Sequence, residues 1–494
     1  MKIVNVINFV RGCEPRKPNL DLVLPLKKEL ELCNKFGFKN TVLLQYDAML
    51  RDDIISVVKS IGQNAEKGIW IEIVRPLCDK TNIPWNGRKG WDWDWYVNPG
   101  FLPAYEKHEK KLLIDEIMRR FKEIFGFYPK SAASWLIDSY SMQYMQEKYD
   151  VQAFAICREQ FGIDAYTLNG GYFNGAYYPS VHNCLCPAQH QEKQINAPVF
   201  RLLGPDPIYN YGLNMYDEAD SAPPTIEPVW KSGQDKEHIR WFFDSYFFNE
   251  SLALSYIQLG QENSFGWDRI KDGLLMQFEI LNEYLEKGAA QLMTLGESGE
   301  IFKKLYKSTP AEALCTFKNP IGGTISKSIW YNSVNYRINI VLEGSKLYIR
   351  DIYKFDENYT ENFYNKPCKQ WSLTYDNLPV IDGFLWQKKD LKRGGIYFEG
   401  CFSDVTAEKT GKALVITATG EDNSVKINLS EEKTEIFTKN QICFITGENA
   451  EISFDDDSLK FEHNGFKYKI NIAGHVKKNG IIHPENNKIV FHMI

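Results

Sequence analysis

The sequence predicts an α/β chain, an incomplete (β/α)7 barrel followed by a short helical segment and a C-terminal β-sandwich. Three observations predict it. Strand-like and helix-like patterns alternate through the first 270 residues, the signature of a parallel α/β architecture. After Lys271 the pattern is helical through Glu286, with a second amphipathic stretch at Glu300–Tyr306. From about Ala313 it changes to period-two alternation broken by Gly, Asn and Asp turns, which reads as packed antiparallel sheets. The expected units are a barrel at 1–270, a helical segment at 271–312 and a sandwich at 313–494, and 494 residues suffice for all three.

Seven segments read as barrel strands: Ile3–Val10, Thr41–Gln45, Gly68–Val74, Ala132–Ile137, Ala153–Cys157, Val199–Leu203 and Ala253–Leu259. Helical patterns at Leu22–Phe36, Tyr105–Phe125 and Ser141–Lys148 lie between them. Later segments such as Val334–Leu342, Lys346–Tyr353, Ala413–Ala418 and Lys467–Ile472 alternate as sandwich strands do. Parallel barrels gather their sites at the C-terminal strand ends. The polar residues there become the candidates: Arg11, Gln45, Asp47, Glu72, Asp138, Arg158, Arg201 and Glu262. Two long loops, Pro76–Phe101 and Asn169–Pro198, are rich in aromatic residues, which argues against disorder and for function.

Composition narrows the chemistry. A net charge of −6 on a chain of this size points to neither nucleic acid nor an anionic membrane surface. No run of eighteen apolar residues is present, so no membrane span is expected. The N-terminal segment Met1–Val10 alternates like a strand and is too polar for a signal peptide, so cytoplasmic residence is expected. The ten cysteines are scattered, which suits reduced, buried thiols. The eight histidines show no metal-ligand spacing, and only His182 and His190 share a loop with a Cys184-x-Cys186 pair; neither metal nor other cofactor is expected. Gly170-Gly171 and Gly322-Gly323 lack the context of a nucleotide loop, and no nucleophile elbow is present. Aromatics make up 14% of the chain, and aromatic rings take the C–H faces of pyranoses, so a carbohydrate is the expected partner. Exposed edges of the β-domain offer an interface for a homo-oligomer.

Glycoside cleavage needs two carboxyls across the anomeric centre. Asp138, after Trp135-Leu136-Ile137, and Glu262, in Gly260-Gln261-Glu262-Asn263, are the expected catalytic pair. Asp138 also fits an N-cap for the helical pattern that follows it. Glu72 lies in an apolar segment, so it faces either a pocket or an arginine, with Arg201 the candidate arginine. Gln45, Asp47, Arg11, Arg201, Gln261 and Asn263 are expected to bind substrate. Trp85, Arg88, Trp91, Trp93 and Trp135 are expected to supply a stacking surface, with Trp91, Trp93 and Trp95 on one face if the segment is a strand.

With those residues in hand, roughly the first 310 positions resemble the glycoside hydrolase/deacetylase superfamily of incomplete (β/α)7 barrels, which includes glycoside hydrolase families 38 and 57 and the polysaccharide deacetylases. The closest likeness is to a poorly characterised bacterial branch, through Leu43-Leu44-Gln45-Tyr46-Asp47-Ala48, Pro84-Trp85-Asn86-Gly87-Arg88, Gly170-Gly171-Tyr172 and Phe200-Arg201-Leu202-Leu203-Gly204-Pro205-Asp206-Pro207. By the looser likeness to families 38 and 57, Asp138 would be the nucleophile, Glu262 the acid/base, and Glu72 a ligand of sugar hydroxyls. The first-strand H-Q-P motif of family 57 is replaced by Asn8-Phe9-Val10-Arg11. The Asp-Asp pair and paired histidines that hold a deacetylase metal are absent. The resemblance therefore implies a retaining, exo-acting glycosidase working through two carboxylates. A metal-dependent carbohydrate deacetylase and a non-catalytic carbohydrate-binding protein are the alternatives.

Overall fold

The computed structural model describes the whole chain except Ile61, Gln63, Leu203, Pro205, residues 210–224, Glu250, Gly323, residues 384–393 and residues 447–450, and the side chains of Phe161 and Ile163. Leu203 and Pro205 of the expected sixth strand and its motif, and Gly323 of the glycine pair, thus lie outside the described residues.

Seven parallel strands form the barrel: β1 (Lys2–Val10), β2 (Asn40–Leu44), β3 (Ala65–Trp70), β4 (Ser131–Ala133), β5 (Ala153–Cys157), β6 (Val199–Leu202) and β7 (Ser255–Leu259). Their order is β7-β1-β2-β3-β4-β5-β6, with every neighbouring pair parallel. The barrel is incomplete because β6 and β7 end the order rather than pairing. Ala176–Tyr177 adds an antiparallel strand outside β6, and Gln291–Met293 adds a parallel one to β1. All seven segments expected as strands are strands.

Two of them stop early. β3 ends at Trp70 and β4 at Ala133, so Glu72 and Trp135 stand in loops at the barrel mouth, not within strands. The strands are near-continuous apolar runs because both faces are covered, by helices outside and side chains inside. Phe9, Trp70 and Trp135 fill the upper interior, with ring centroids 4.5–5.4 Å apart.

The helices packed around the barrel include Val23–Phe36, Lys107–Phe125, Ser139–Tyr149 and Lys236–Phe247, followed by Trp267–Glu286 and Leu295–Leu305. Local chemistry sets their ends. Glu106 with Glu109, and Thr294 with Glu297, form capping boxes. None of the described helices is long and apolar enough to cross a membrane.

Beyond them lie two antiparallel sheets that share one core. The first begins at Glu312–Phe317 and includes Tyr336–Glu343 and Lys346–Lys354. The second runs from Asp404–Thr410 through Ala413–Thr419 and Ser424–Leu429 to Lys488–His492. Alternate residues, such as Leu414, Ile416 and Ala418 against Ile338 and Ile340, point into that core. This is the expected sandwich.

A buried polar network joins it to the barrel. Arg337 forks onto Asp351 with two bonds of 2.9 Å and reaches Glu159 at 3.1 Å, while Arg201 meets the other Glu159 oxygen at 3.2 Å. Glu159 in turn accepts from the Gly170 and Gly171 amides. The Asn169–Pro198 loop, expected to be functional, is therefore chiefly a joint: Tyr172 and Tyr177 are buried in it.

Candidate active site

The C-terminal mouth of the barrel holds a cavity of about 440 Å³, within the size range of small-ligand sites. Arg11, the first residue after β1, organises it. Its backbone is fixed by Asn263, whose Oδ1 accepts from Arg11 N at 2.9 Å while Nδ2 donates to Arg11 O at 3.0 Å and to Leu22 O at 2.9 Å. Its guanidinium donates two bonds to Glu72, at 3.0 and 3.1 Å, and a third to Glu262 at 3.0 Å. The indole of Trp93 covers its face, 4.0 Å from the ring centroid. Trp70 Nε1 adds a bond to Glu72 at 2.9 Å, and Ser264 Oγ one to Glu262 at 2.5 Å. All three charged groups are buried, so the cation between the acids offsets the cost of desolvating each.

Glu262 is placed by the end of β7. Gly260 there has φ +109°, and a Cβ on it would lie 2.0 Å from the carbonyl oxygen of Ile7. Only glycine lets the chain pass so close to β1, which brings Gln261 and Glu262 over the mouth. Burial raises the Glu262 carboxyl above the usual range; Arg11 and Ser264 oppose that shift and the Glu72 charge adds to it.

The second acid is Glu227. Its carboxylate accepts from Gln261 Nε2 at 3.0 Å and from Trp230 Nε1 at 3.3 Å. Burial pushes it up to about 7, against the Gln261 bond and with help from the Glu262 charge. The group lies deep in the protein yet is half-buried, because one side opens to the cavity. Trp95, Phe101, Trp135 and Tyr166 give the walls their aromatic character, with Trp230 and Phe265 on another side.

Of the residues expected from the sequence, Arg11, Glu72, Trp93, Trp135 and Glu262 line this cavity. Glu72 faces both a pocket and an arginine, and the arginine is Arg11. Gln261 and Asn263 act one step back, by holding Glu227 and Arg11.

The others lie elsewhere. Asp138 caps the Ser139–Tyr149 helix, accepting from Ser141 N at 3.0 Å and Ser141 Oγ at 2.9 Å, and pairs with buried Lys110 at 3.2 Å. Asp138, expected as a catalytic carboxylate, is thus not among the residues lining this cavity, and its oxygens are used inside the protein. Arg201 is turned to Glu159 and to the carbonyls of Cys157 and Tyr172, away from Glu72. Gln45 and Asp47 are buried and do not line the cavity, and Asp47 Oδ1 caps a short turn through the Ala48 amide.

Trp85, Arg88 and Trp91 form their own stack outside the cavity. Arg88 forks onto Asp94 at 2.8 and 2.6 Å and lies 3.7 Å from the Trp91 centroid and 3.9 Å from that of Trp95. Trp85 Nε1 donates to Trp91 O at 3.1 Å. Because residues 91–95 form no strand, the tryptophans do not share one face: Trp93, which is buried, and Trp95 line the cavity, and Trp91 does not.

Glu227, Arg16, Arg158, Trp230 and Arg269 also line the cavity, and of these only Arg158 stood among the strand-end candidates. The signal for Glu227 was an acid between Ile226 and Pro228, three residues before a tryptophan. It lies at no strand end, where the reading of barrel strands would look.

Among the described residues no group of three His, Cys, Asp or Glu is arranged to hold a metal ion. Of the four cavity acids, Glu72, Asp164, Glu227 and Glu262, two are engaged by Arg11, and no histidine is among the described lining residues. A deacetylase-type metal does not fit this donor set.

The fold and site define a class: an incomplete parallel barrel with a polar, aromatic-walled pocket at its C-terminal mouth, joined to a β-sandwich. Residues 96–326 match the family DUF3863, described as a domain of unknown function with a solved structure. A crystal structure from Parabacteroides distasonis, described as that of a candidate glycoside hydrolase/deacetylase, matches 76% of this chain and 90% of its own, with a TM-score of 0.54 and 15% identity. At that identity the likeness shows the fold. Polysaccharide deacetylases described from Mycobacterium smegmatis, as a candidate, and Pseudomonas aeruginosa PAO1, as a probable one, match 62% and 61% of this chain and 91% of their own. Their TM-scores are 0.35 and 0.36, at 12% and 11% identity, too loose to carry a functional argument. No curated protein matches the sequence. The resemblance to the glycoside hydrolase/deacetylase superfamily is met in the fold; kinship with families 38 and 57 is not shown.

Proposed function

We propose that this chain is a carbohydrate-active hydrolase and, more finely, a retaining, exo-acting glycoside hydrolase whose catalytic unit is the barrel at 1–270. The segments 271–312 and 313–494 would support it. The observation that carries the reading is that Glu227 and Glu262, two of the four carboxyls lining one aromatic cavity, differ in their surroundings. Glu227 is pushed up to about 7, while Glu262 has Arg11 and Ser264 to stabilise its anion. Burial raises both carboxyls, but Glu262 has the Arg11 cation bonded to it, so Glu227 is taken as the acid and Glu262 as the nucleophile.

Glu262 attacks the anomeric carbon and forms a glycosyl ester as the C–O bond to the leaving group breaks, and the Glu227 proton goes to the departing oxygen. Glu227 then takes a proton from water, which attacks the same carbon and frees Glu262. Arg11, itself held by Glu72, holds the nucleophile, and Trp93 and Trp135 line the ring site. A pocket at the barrel mouth suits removal of a terminal sugar.

The test is hydrolysis of α- and β-aryl glycosides by wild type, Glu227→Gln and Glu262→Gln, with NMR of the first-formed anomer. Release by wild type with retention, lost in both variants, is expected. No release from any substrate, or wild-type turnover in both variants, would overturn the reading, and an inverted product would replace the nucleophile role of Glu262 with that of a base.

A further inference from the structure

The cavity gathers charge of both signs. Its described lining residues include four arginines, Arg11, Arg16, Arg158 and Arg269, and four carboxyls, Glu72, Asp164, Glu227 and Glu262. Arg11 is committed to Glu72 and Glu262, and Arg16 forks onto Glu14 at 2.8 and 2.5 Å. Arg158 lies deeper and stabilises the ionised form of Glu227.

Arg269 differs from all three. It is exposed, and its side chain makes no hydrogen bond or ion pair among the described residues. The guanidinium instead lies 5.9 Å from the Trp230 ring centroid and 5.4 Å from that of Phe265. Those two rings meet edge to face at 6.0 Å. It also stands in the first turn of the Trp267–Glu286 helix, where the helix dipole disfavours a cation. A cation kept on an aromatic shelf at a cavity wall, against the local helix preference and without a partner, marks a place where the partner comes from outside.

We propose that the cavity takes an anionic sugar, with Arg269 binding its carboxylate or sulfate ester and Trp230 and Phe265 receiving the ring beside it. The inference rests on reading the cavity as a sugar site. The guanidinium fork matches the paired oxygens of either anion, and the aromatic rings present apolar faces to the sugar's C–H groups. Protonation of Glu227 around neutral pH removes a negative charge that would otherwise repel such a ligand.

Calorimetric titration of the whole chain with methyl β-glucuronide, glucose 6-sulfate and methyl β-glucoside tests this. Wild type should bind at least one charged probe tenfold or more tighter than the neutral one, with the gap narrowing at high salt. The probe with the larger gap identifies carboxylate or sulfate. Arg269→Ala should erase most of the preference and change neutral binding less than twofold, and Arg269→Lys, which keeps the charge without the fork, should fall between. Equal affinity for charged and neutral probes, binding of no charged probe, or a preference intact in Arg269→Ala would each overturn the proposal. Because these are binding measurements, a wild type that shows the preference yet releases no sugar would refute the hydrolase reading and leave the anion site standing.

Discussion

Gln261 Nε2 donates to Glu227 Oε1 at 3.0 Å across 34 positions of sequence. Gln261 precedes Glu262, which Arg11 holds from the same end of the neighbouring parallel strand β1, and follows Gly260, whose close passage over Ile7 sets the path of the segment. One short turn after β7 therefore fixes both carboxyls. The geometry of the pair depends on the register of β7 against β1 rather than on the loop that carries Glu227.

The raised value of Glu227 has a stability consequence. Folding favours its neutral form, so the penalty is absent when both states are protonated. It grows as pH rises from the unfolded value, near 4.5, towards the folded value of about 7, and is then constant. Its ceiling is about 3 kcal/mol, lowered by solvent in the cavity. Glu227→Gln should thus melt higher than wild type at pH 8 and about equally at pH 4, while turnover falls by roughly 10²–10⁴. Thermal melts at the two pH values, alongside rates, check both halves.

Arg11 neutralises two buried acids, so its removal should cost more than any bond it makes. Arg11→Gln leaves Glu72 and Glu262 facing each other without a cation, at about 3–5 kcal/mol. Protonation relieves that repulsion, and the deficit against wild type should shrink as pH falls from 7 to 5. Urea unfolding across that range measures it; a deficit independent of pH would mean that the carboxylates are not its source.

The barrel was legible because buried parallel strands are apolar on both faces: Ala153–Cys157 is the clearest case, identical in sequence reading and structure. Glu262 was legible for a related reason, since an acid directly after such a strand has few places to go but the mouth. Asp138 meets the same description and is nonetheless a cap, because β4 ends at Ala133 and the intervening residues carry it past the mouth to Lys110. Where a strand stops is set by tertiary pairing, which local composition does not encode. Glu227 was hidden for the opposite reason, as its segment has no period at all and its carboxylate is held at the cavity by Gln261 and Trp230.

Glu72 shapes the acid side of the pH profile. Its charge raises the Glu262 carboxyl, and it shares the Arg11 guanidinium that would lower it. In Glu72→Gln the repulsion is gone and Arg11 is freer to turn to Glu262, so both changes lower the Glu262 value. The acidic limb of kcat/KM should move to lower pH, while the alkaline limb near 7, assigned to Glu227, stays within a few tenths of a unit. Movement of the acidic limb to higher pH would contradict the assignment of that limb to Glu262.

Asp138→Asn separates capping from chemistry. Asparagine still accepts from the Ser141 amide, so the cap survives, and the variant loses chiefly the ion pair to Lys110. Glu361, buried nearby and raised in part by the Asp138 charge, should then ionise more readily and offset part of the charge left on Lys110. The expected cost is about 1–3 kcal/mol, between that of a neutral hydrogen bond and that of an unpaired buried charge, and Asp138→Ala should lose about 1 kcal/mol more with the cap. Turnover of folded Asp138→Asn should stay within twofold of wild type, since the residue has no face on the cavity. A hundredfold loss of turnover with an unchanged melting temperature would return Asp138 to the reaction.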